Sequence, residues 1–313
     1  MAIRSSGLTK RFGDRAAVDG LDLEVPGGVV CGFIGPNGAG KTTTLRMLLG
    51  LVRPSSGTAE VLGEPISHPE RYLPRVGALI EGPSFYASLS GRRNLDVLAR
   101  LGRLPRGRID ELLDRVGLAG RGGDAFSSYS LGMKQRLGIA AALLPDPELL
   151  VLDEPANGLD PAGIREIRAL LRALADDGMS VFVSSHLLGE IEAICEHLVV
   201  IDGGRLVFQG PMGDLLARQR GEVVAAPEHP ADLPELAALC ERAGHPARVA
   251  DGRVHVAADP AFAPELNRLA MARGITLASL GVAHGSLEEA FLSITDAGGR
   301  SMAERLAPEG VTP

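Results

Sequence analysis

Gly28-Val29-Val30-Cys31-Gly32-Phe33-Ile34-Gly35-Pro36-Asn37-Gly38-Ala39-Gly40-Lys41-Thr42 runs from a short apolar, β-branched segment into a glycine-rich octet, and Lys41–Leu49 continues as a helical pattern closed by Gly50. The segment before the octet predicts a buried strand, the one after it a helix. Gly35–Thr42 therefore matches G-x-x-x-x-G-K-[ST] where that pattern has a mechanism, between a strand and a helix. Glycines let the backbone wrap a phosphate so that successive N–H groups point at the anion, and the helix N-terminus adds its dipole. Gly35, Pro36, Asn37, Gly38, Ala39, Gly40, Lys41, Thr42 and Thr43 are the candidate phosphate-binding residues. Lys41 is placed to reach the β- and γ-phosphates, and the Thr42 hydroxyl to ligate Mg²⁺. Only Lys10, Lys41 and Lys134 among 32 basic residues are lysine. In a chain whose default cation is arginine, Lys41 points to a need for a slim ammonium rather than a planar fork. The plain alternative is a glycine-rich turn that only caps a helix.

Working outward, Leu149–Leu152 and Ser180–Ser184 are further buried-strand patterns, separated by Pro161–Asp176, a helix with Ile164, Ile167, Leu170, Leu171 and Leu174 on one face. Strand, helix, strand predicts an α/β domain with a parallel sheet and crossover helices. The strand Leu149–Leu152 ends in Asp153-Glu154, the arrangement for a Mg²⁺ ligand followed by a general base acting on water. Alone, such a pair is more often a helix cap or solvated loop; the octet upstream reverses that reading. Residues 88–144 carry helical patterns broken at Leu104–Arg108 and Ala119–Asp124, predicting a helical subdomain at about 85–145 inserted in the sheet domain. Arg92, Arg93, Arg100, Arg103, Arg106 and Arg108 crowd its start, either as a solvated face or as a docking surface for an acidic element.

The pattern weakens around Ala217–Pro234, a stretch rich in Pro, Gly and Ala. A second unit follows. Glu222–Ala226 reads as a strand, Asp232–Ala243 as a helix, Ala247–Ala257 as two strands turning at Asp251-Gly252, Pro264–Arg273 as a helix and Ile275–Leu280 as a strand. That β-α-β-β-α-β order predicts a small α+β, ferredoxin-like domain. An amphipathic helix, Ser286–Ile294, and a Gly/Pro-containing tail complete the chain. The expected boundaries are 1–217, 218–296 and a flexible tail at 297–313.

Tyr129-Ser130-Leu131-Gly132-Met133-Lys134-Gln135-Arg136, just before Asp153-Glu154, resembles the signature sequence of ATP-binding cassette (ABC) ATPases. With the octet, the Asp-Glu strand, the turn Asn157-Gly158-Leu159-Asp160 and Ser184-Ser185-His186, the resemblance spans about residues 1–215. It implies a P-loop NTPase fold and a head-to-tail dimer that sandwiches two ATP molecules. Each ATP would lie between one subunit's phosphate loop and the other's signature, with Ser130 and Gly132 meeting the γ-phosphate in trans. By the same resemblance Glu154 is the base, Asp153 a Mg²⁺ ligand, His186 the switch histidine, and Asp160 a residue coupling the two sites. Phe12 is the aromatic stacked on adenine, against the plainer reading of a first-strand core residue. For His186 the plainer reading is a satisfied strand-end histidine. The chain departs from the family at Leu131, usually glycine, at Met133, usually glutamine, and at Glu81. Glu81 stands where a glutamine usually touches Mg²⁺ and signals to the transmembrane partner. A carboxylate there binds Mg²⁺ more strongly than an amide and repels γ-phosphate once the metal leaves. The glutamate and the Ser-Leu-Gly-Met signature resemble bacterial ATPases tied to export of, or self-resistance against, bacitracin, lantibiotics and related drugs.

Composition narrows the alternatives. At 313 residues the chain fits two domains, and 45% hydrophobic with 23% charged residues excludes a wholly disordered or fibrous protein. Thirty-nine acidic residues give a net charge of −7, against the basic footprint of a nucleic-acid-binding domain. The longest apolar run is Ile139–Leu144, far short of a membrane span, and the N-terminus lacks a signal-peptide core. A membrane role must come through a partner. Cys31, Cys195 and Cys240 lack metal-ligand spacing and read as reduced thiols without chemistry. The leading expectation is the Mg²⁺-dependent ATPase subunit of an exporter, on the cytoplasmic face of the membrane, with a separate permease and as a homodimer or heterodimer. A soluble ABC ATPase acting on ribosomes or DNA is the alternative. Against it stand the single cassette, the short interval between Lys41 and Ser130, which leaves no room for a coiled-coil insert, and the acidic balance. A catalytically weak ATP switch ranks lower, since Lys41, Asp153, Glu154 and His186 are all present.

Overall fold

The computed structural model describes residues 1–82, 84–217, 222–283, 287–288 and 291. The tail at 297–313 and most of the helix expected at Ser286–Ile294 lie outside them. Two compact units emerge, the first holding Met1–Met212 and the second Gly213–Ala297.

The first unit opens with β1 (Ile3–Phe12), β2 (Arg15–Leu21), β3 (Glu24–Val25), β4 (Val30–Ile34), α1 (Lys41–Leu48), β5 (Ser56–Val61) and β6 (Glu64–Pro65). It continues through α2 (Pro69–Tyr72), β7 (Val76–Leu79), α3 (Gly91–Leu101), α4 (Ile109–Arg115), α5 (Leu131–Ala142) and β8 (Leu149–Asp153). It closes with α6 (Pro161–Asp176), β9 (Ser180–Ser185), α7 (Leu188–Glu192), β10 (His197–Asp202) and β11 (Arg205–Pro211). Six strands form one sheet in the order β11-β10-β4-β9-β8-β7, parallel except for the edge strand β11. Strands β4, β8 and β9 are buried at every position, as continuous apolar runs are when a parallel sheet is covered on both faces.

A second, antiparallel sheet runs β2-β1-β5-β6, with β3 beside β1. Leu8, Val18, Leu21, Ala59 and Val61 from this sheet share one core with Phe33, Phe182 and Val151 from the other, and with Leu45 and Leu48 of α1. The hydroxyl of fully buried Tyr72 donates to Leu48 O at 2.8 Å, and burial pushes its pKa up to about 12. The α-helices α3, α4 and α5 fall between β7 and β8. Ser90 caps α3 by accepting from Arg93 N.

Helix α8 (Met212–Ala217) precedes the second unit's sheet, built by β12 (Glu222–Pro227), α9 (Leu233–Arg242), β13 (Ala247–Ala250), β14 (Arg253–Ala257), α10 (Ala263–Ala272) and β15 (Leu277–Ala283). The strands order as β13-β14-β12-β15, every neighbour antiparallel. Val223, Ala225, Val254 and Val256 alternate onto one face and pack with Leu236, Cys240, Leu266 and Ala270 of the helices. Asp251 and Gly252 both take positive φ, as a two-residue hairpin loop with a primed turn requires. The last strand begins at Leu277 rather than at the expected Ile275. The Ile275 N–H closes α10 on Ala270 O, and its side chain is buried in the unit's core. All three cysteines are buried free thiols whose pKa burial raises.

Candidate functional site

The carboxyl ends of β4, β8 and β9 bring three loops to one edge of the parallel sheet, the place where open α/β sheets bind ligands. The loop after β4 reaches α1 through Gly40, which has φ 102°; a Cβ there would lie 2.4 Å from Ala17 O. A Cβ on Gly35 would likewise lie 2.4 Å from Ile201 O. Gly35 and Gly40 thus answer to close backbone neighbours. Beyond Gly40, the first N–H groups of α1 have no partner within the helix and face outward with its positive dipole end.

Lys41 is only 7% exposed; its Nζ donates to Gly35 O at 2.7 Å and lies 3.5 Å from Glu154 Oε1. Glu154 Oε2 lies 2.7 Å from His186 Nδ1 and accepts from the His186 N–H at 3.3 Å. One carboxylate therefore bridges the phosphate loop and the loop after β9. Glu154 holds a left-handed backbone, φ 50°, which costs a residue with a Cβ about 1–2 kcal/mol. Asp153, one residue back, ends β8 with its carboxylate 2.7 Å from Thr42 Oγ1, the donor, and 2.5 Å from Ser184 Oγ, also a donor. A hydroxyl that gives its hydrogen to Asp153 still presents oxygen lone pairs, so Thr42 and Asp153 form a hard-oxygen pair beside the loop. Among the described residues no group of three or more His, Cys, Asp or Glu could hold a metal ion. Two protein oxygens suit Mg²⁺, which keeps several waters and takes the remaining ligands from substrate phosphates.

A cleft of about 690 Å³ joins these parts, lined by Phe12 and by Pro36, Asn37, Gly38, Gly40, Lys41, Thr42 and Thr43 of the loop and helix, with Glu154 and His186. Phe12 is 55% exposed, with Lys10 Nζ 5.1 Å from its ring centroid. Gly35 and Ala39 support the loop from beneath, through Gly35 O and through the bond from Ala39 N to Pro36 O. The other expected residues do not line this cleft. Glu81, with φ 67°, ion-pairs with Arg46, one turn after Thr42 on α1. Ser130 caps α5, accepting from Met133 N, and stays exposed. Gly132 lies in the first turn of that helix. Asp160 caps α6, its Oδ1 accepting from Gly163 N at 2.8 Å.

Sequence reasoning left four residues unassigned. Arg15 and Ala17 line the cleft because the β1–β2 hairpin folds Arg15 back beside Phe12; the turn pair Gly13-Asp14 was the available signal. Asn157 also lines it, from a turn that sequence reading had singled out only as a motif. Ser184, paired with Asp153 across β8 and β9, gave no signal beyond its place before His186.

A family profile for ABC transporters matches residues 18–157. The chain is similar to the bacitracin transport ATP-binding protein BcrA of Bacillus licheniformis, 40% identical over 310 residues, covering 95% of this chain and 98% of that one. It is similar to the daunorubicin/doxorubicin resistance ATP-binding protein DrrA of Streptomyces peucetius, 36% identical over 94% of this chain and 92% of the relative. Among solved structures, cbiO1 of Clostridium perfringens, part of the ABC transporter complex cbiONQ, superposes with a TM-score of 0.63 at 27% identity. That match covers 69% of this chain and 90% of cbiO1.

Proposed function

The chain belongs to the ATP-binding, ATP-hydrolysing subunits of ABC transporters, and from that premise we propose that it powers export of a drug, peptide antibiotic or lipid-like molecule through a separate membrane permease. The observation that carries the reading is the Glu154 carboxylate held between Lys41 and His186 over the cleft, beside the Thr42–Asp153 pair. Lys41, the octet and Thr43 hold the phosphates, and Phe12 stacks on the base. Thr42 and Asp153 hold Mg²⁺. The metal supplies charge neutralisation of the phosphates when bound. Glu154 orients water and accepts its proton, with His186 fixing that carboxylate by its ring nitrogen. Glu81, tied to Arg46, is the residue through which metal occupancy would be signalled to the permease.

The capped start of α5, exposed at Ser130 and half-buried at Gly132 and outside its own cleft, supports a head-to-tail dimer, either homomeric or heteromeric, in which each signature closes the partner's site. Asp160 would couple the two halves from the first turn of α6. No described helix is long and apolar enough to cross a membrane; peripheral placement on the cytoplasmic face goes with the permease partnership proposed here. Helices α3–α5 form the inserted helical subdomain, within a cassette of residues 1–217. The strand order β13-β14-β12-β15 with one helix after β12 and one after β14 supports a ferredoxin-like domain at 218–296, followed by the tail 297–313. Export is supported by the names of the relatives, which concern bacitracin transport and daunorubicin resistance.

The test is to tag Glu154→Gln, which keeps ATP bound, solubilise native membranes with ATP and Mg²⁺, and identify what copurifies. A stoichiometric polytopic membrane protein is the expected result. Ribosomal proteins, DNA or no partner would overturn the exporter reading in favour of a soluble switch.

A further inference from the structure

Ser184 is wholly buried at the end of β9, and its one hydroxyl serves both carboxylate residues of the site. Its Oγ donates to Asp153 Oδ1 at 2.5 Å and accepts from the Glu154 N–H at 3.0 Å. The same N–H also reaches Ser184 O at 3.2 Å. These contacts follow from strand register, since Asp153 pairs with Ser184 across the parallel ladder between β8 and β9.

We propose that Ser184 is the positioning residue of the hydrolytic site, a single buried hydroxyl that fixes the Asp153 carboxylate and the Glu154 backbone together. The Asp153 carboxylate has two oxygens with separate duties. Ser184 occupies Oδ1 and thereby turns Oδ2 toward Thr42, where it meets the Thr42 hydroxyl at 2.7 Å. Without that donor, Oδ1 would be a buried charged acceptor with an unmet bond, and the carboxylate would be free to rotate away from Thr42. The second duty concerns Glu154. Its left-handed φ of 50° is unfavourable for a residue with a Cβ. Its N–H, shared between Ser184 O and Oγ, holds the residue there, which places its carboxylate within 2.7 Å of His186 Nδ1 and 3.5 Å of Lys41 Nζ. Alanine at 184 would keep the backbone acceptor and lose the hydroxyl, uncoupling the two acids while leaving the phosphate loop intact.

This inference rests on the roles proposed above for Asp153 and Glu154. Its test compares Ser184→Ala, Ser184→Val and Ser184→Thr in the full chain, with Glu154→Gln as a control. Valine and threonine share a shape and differ in the hydroxyl, so their comparison separates chemistry from packing. Two quantities are read: steady-state kcat and KM for ATP, and ATP affinity by equilibrium binding with Mg²⁺ and with EDTA. Loss of a hydrogen bond to a charged group corresponds to about a 10- to 100-fold change. Ser184→Ala and Ser184→Val are expected to lose about that much in kcat, with KM altered less than about threefold. Their Mg²⁺-dependent gain in ATP affinity should shrink, with affinity in EDTA unchanged. Ser184→Thr should restore both. Normal kcat and a normal Mg²⁺-dependent gain in Ser184→Ala would overturn the proposal, and so would equal losses in Ser184→Thr and Ser184→Val. If Glu154→Gln itself turns over normally, the failure lies in the base assignment; if it is inactive while Ser184→Ala is normal, the failure is confined to Ser184.

Discussion

Among the described residues, Glu154 and Glu222 each meet one imidazole and one cation, and the Glu154 pairing lines the cleft described above. Glu154 meets His186 at 2.7 Å and Lys41 at 3.5 Å; Glu222 meets His255 at 2.8 Å and Arg248 at 3.1 Å. Their side-chain exposures, 22% and 29%, are close. The backbone sets them apart. Glu222 opens β12 in antiparallel register with Ala257 and Ala283, and its partners His255 and Arg248 sit opposite each other on β14 and β13. Glu154 lies one residue past the end of β8 at positive φ, facing a cleft whose floor is a glycine-rich loop and a helix N-terminus. Residue types alone therefore do not make a site; the surrounding donors and a place for a ligand do. The sharpest way to break this contrast is Glu154→Gln, which keeps the hydrogen-bonding shape and removes the basicity. We expect ATP turnover to fall about 10²–10⁴-fold with nucleotide binding retained, measured by phosphate release and equilibrium binding. Turnover within a few-fold of the parent would place the base elsewhere and reduce Glu154 to a cross-link like Glu222.

The cations differ as much as the acids. Lys41 sits buried at the head of α1 with Gly35 O, whereas Arg248 is largely exposed on an edge strand. ATP at 100 times its dissociation constant should stabilise the parent chain by about 2.7 kcal/mol. Lys41→Ala should lose most of that stabilisation, while Arg248→Ala keeps it. Differential scanning with and without ATP reads the result. An ATP-dependent shift that survives in Lys41→Ala, or vanishes in Arg248→Ala, would dissolve the distinction.

The parts legible in the sequence were those written in local order. The octet between an apolar run and a helix, the Asp-Glu pair after Leu149–Leu152 and the turn pair Asp251-Gly252 each carry their geometry within a few residues. What escaped was long-range. The antiparallel sheet of β1, β2, β3, β5 and β6 is assembled from strands with mixed exposure and bulged pairing, as in β1, so its hydrophobic pattern is weak. Arg15 reaches the cleft only because that hairpin exists. Ser184 gains its role from a register between strands separated by the whole of α6. Glu81 shows the opposite limit. Its place in the motif order gives it an expected part toward Mg²⁺ and the permease, while its pairing with Arg46 of α1, 35 residues earlier in the chain, is written in no local pattern.

The smallest effect separates the two glutamates from the other side. Glu222→Gln removes a charge from a partly exposed sheet surface, where ion pairs contribute about 0.2–1 kcal/mol and cross-strand pairs a similar amount. Thermal denaturation should show a modest fall in stability that shrinks as salt is raised, because exposed charges are screened within about 10 Å at 0.1 M. Turnover and the ATP-dependent shift should stay at parent values. Asp153, Glu154 and Ser184 are tied to one another through hydrogen bonds, so a change in any one of them should register in the others. Glu222, His255 and Arg248 pair with one another across β12, β14 and β13, and their loss should stop at the sheet that carries them. If Glu222→Gln lowered turnover comparably to Glu154→Gln, the second cluster would be working in the ATPase cycle, and the closed pairing on β12, β13 and β14 would be a functional site rather than a brace.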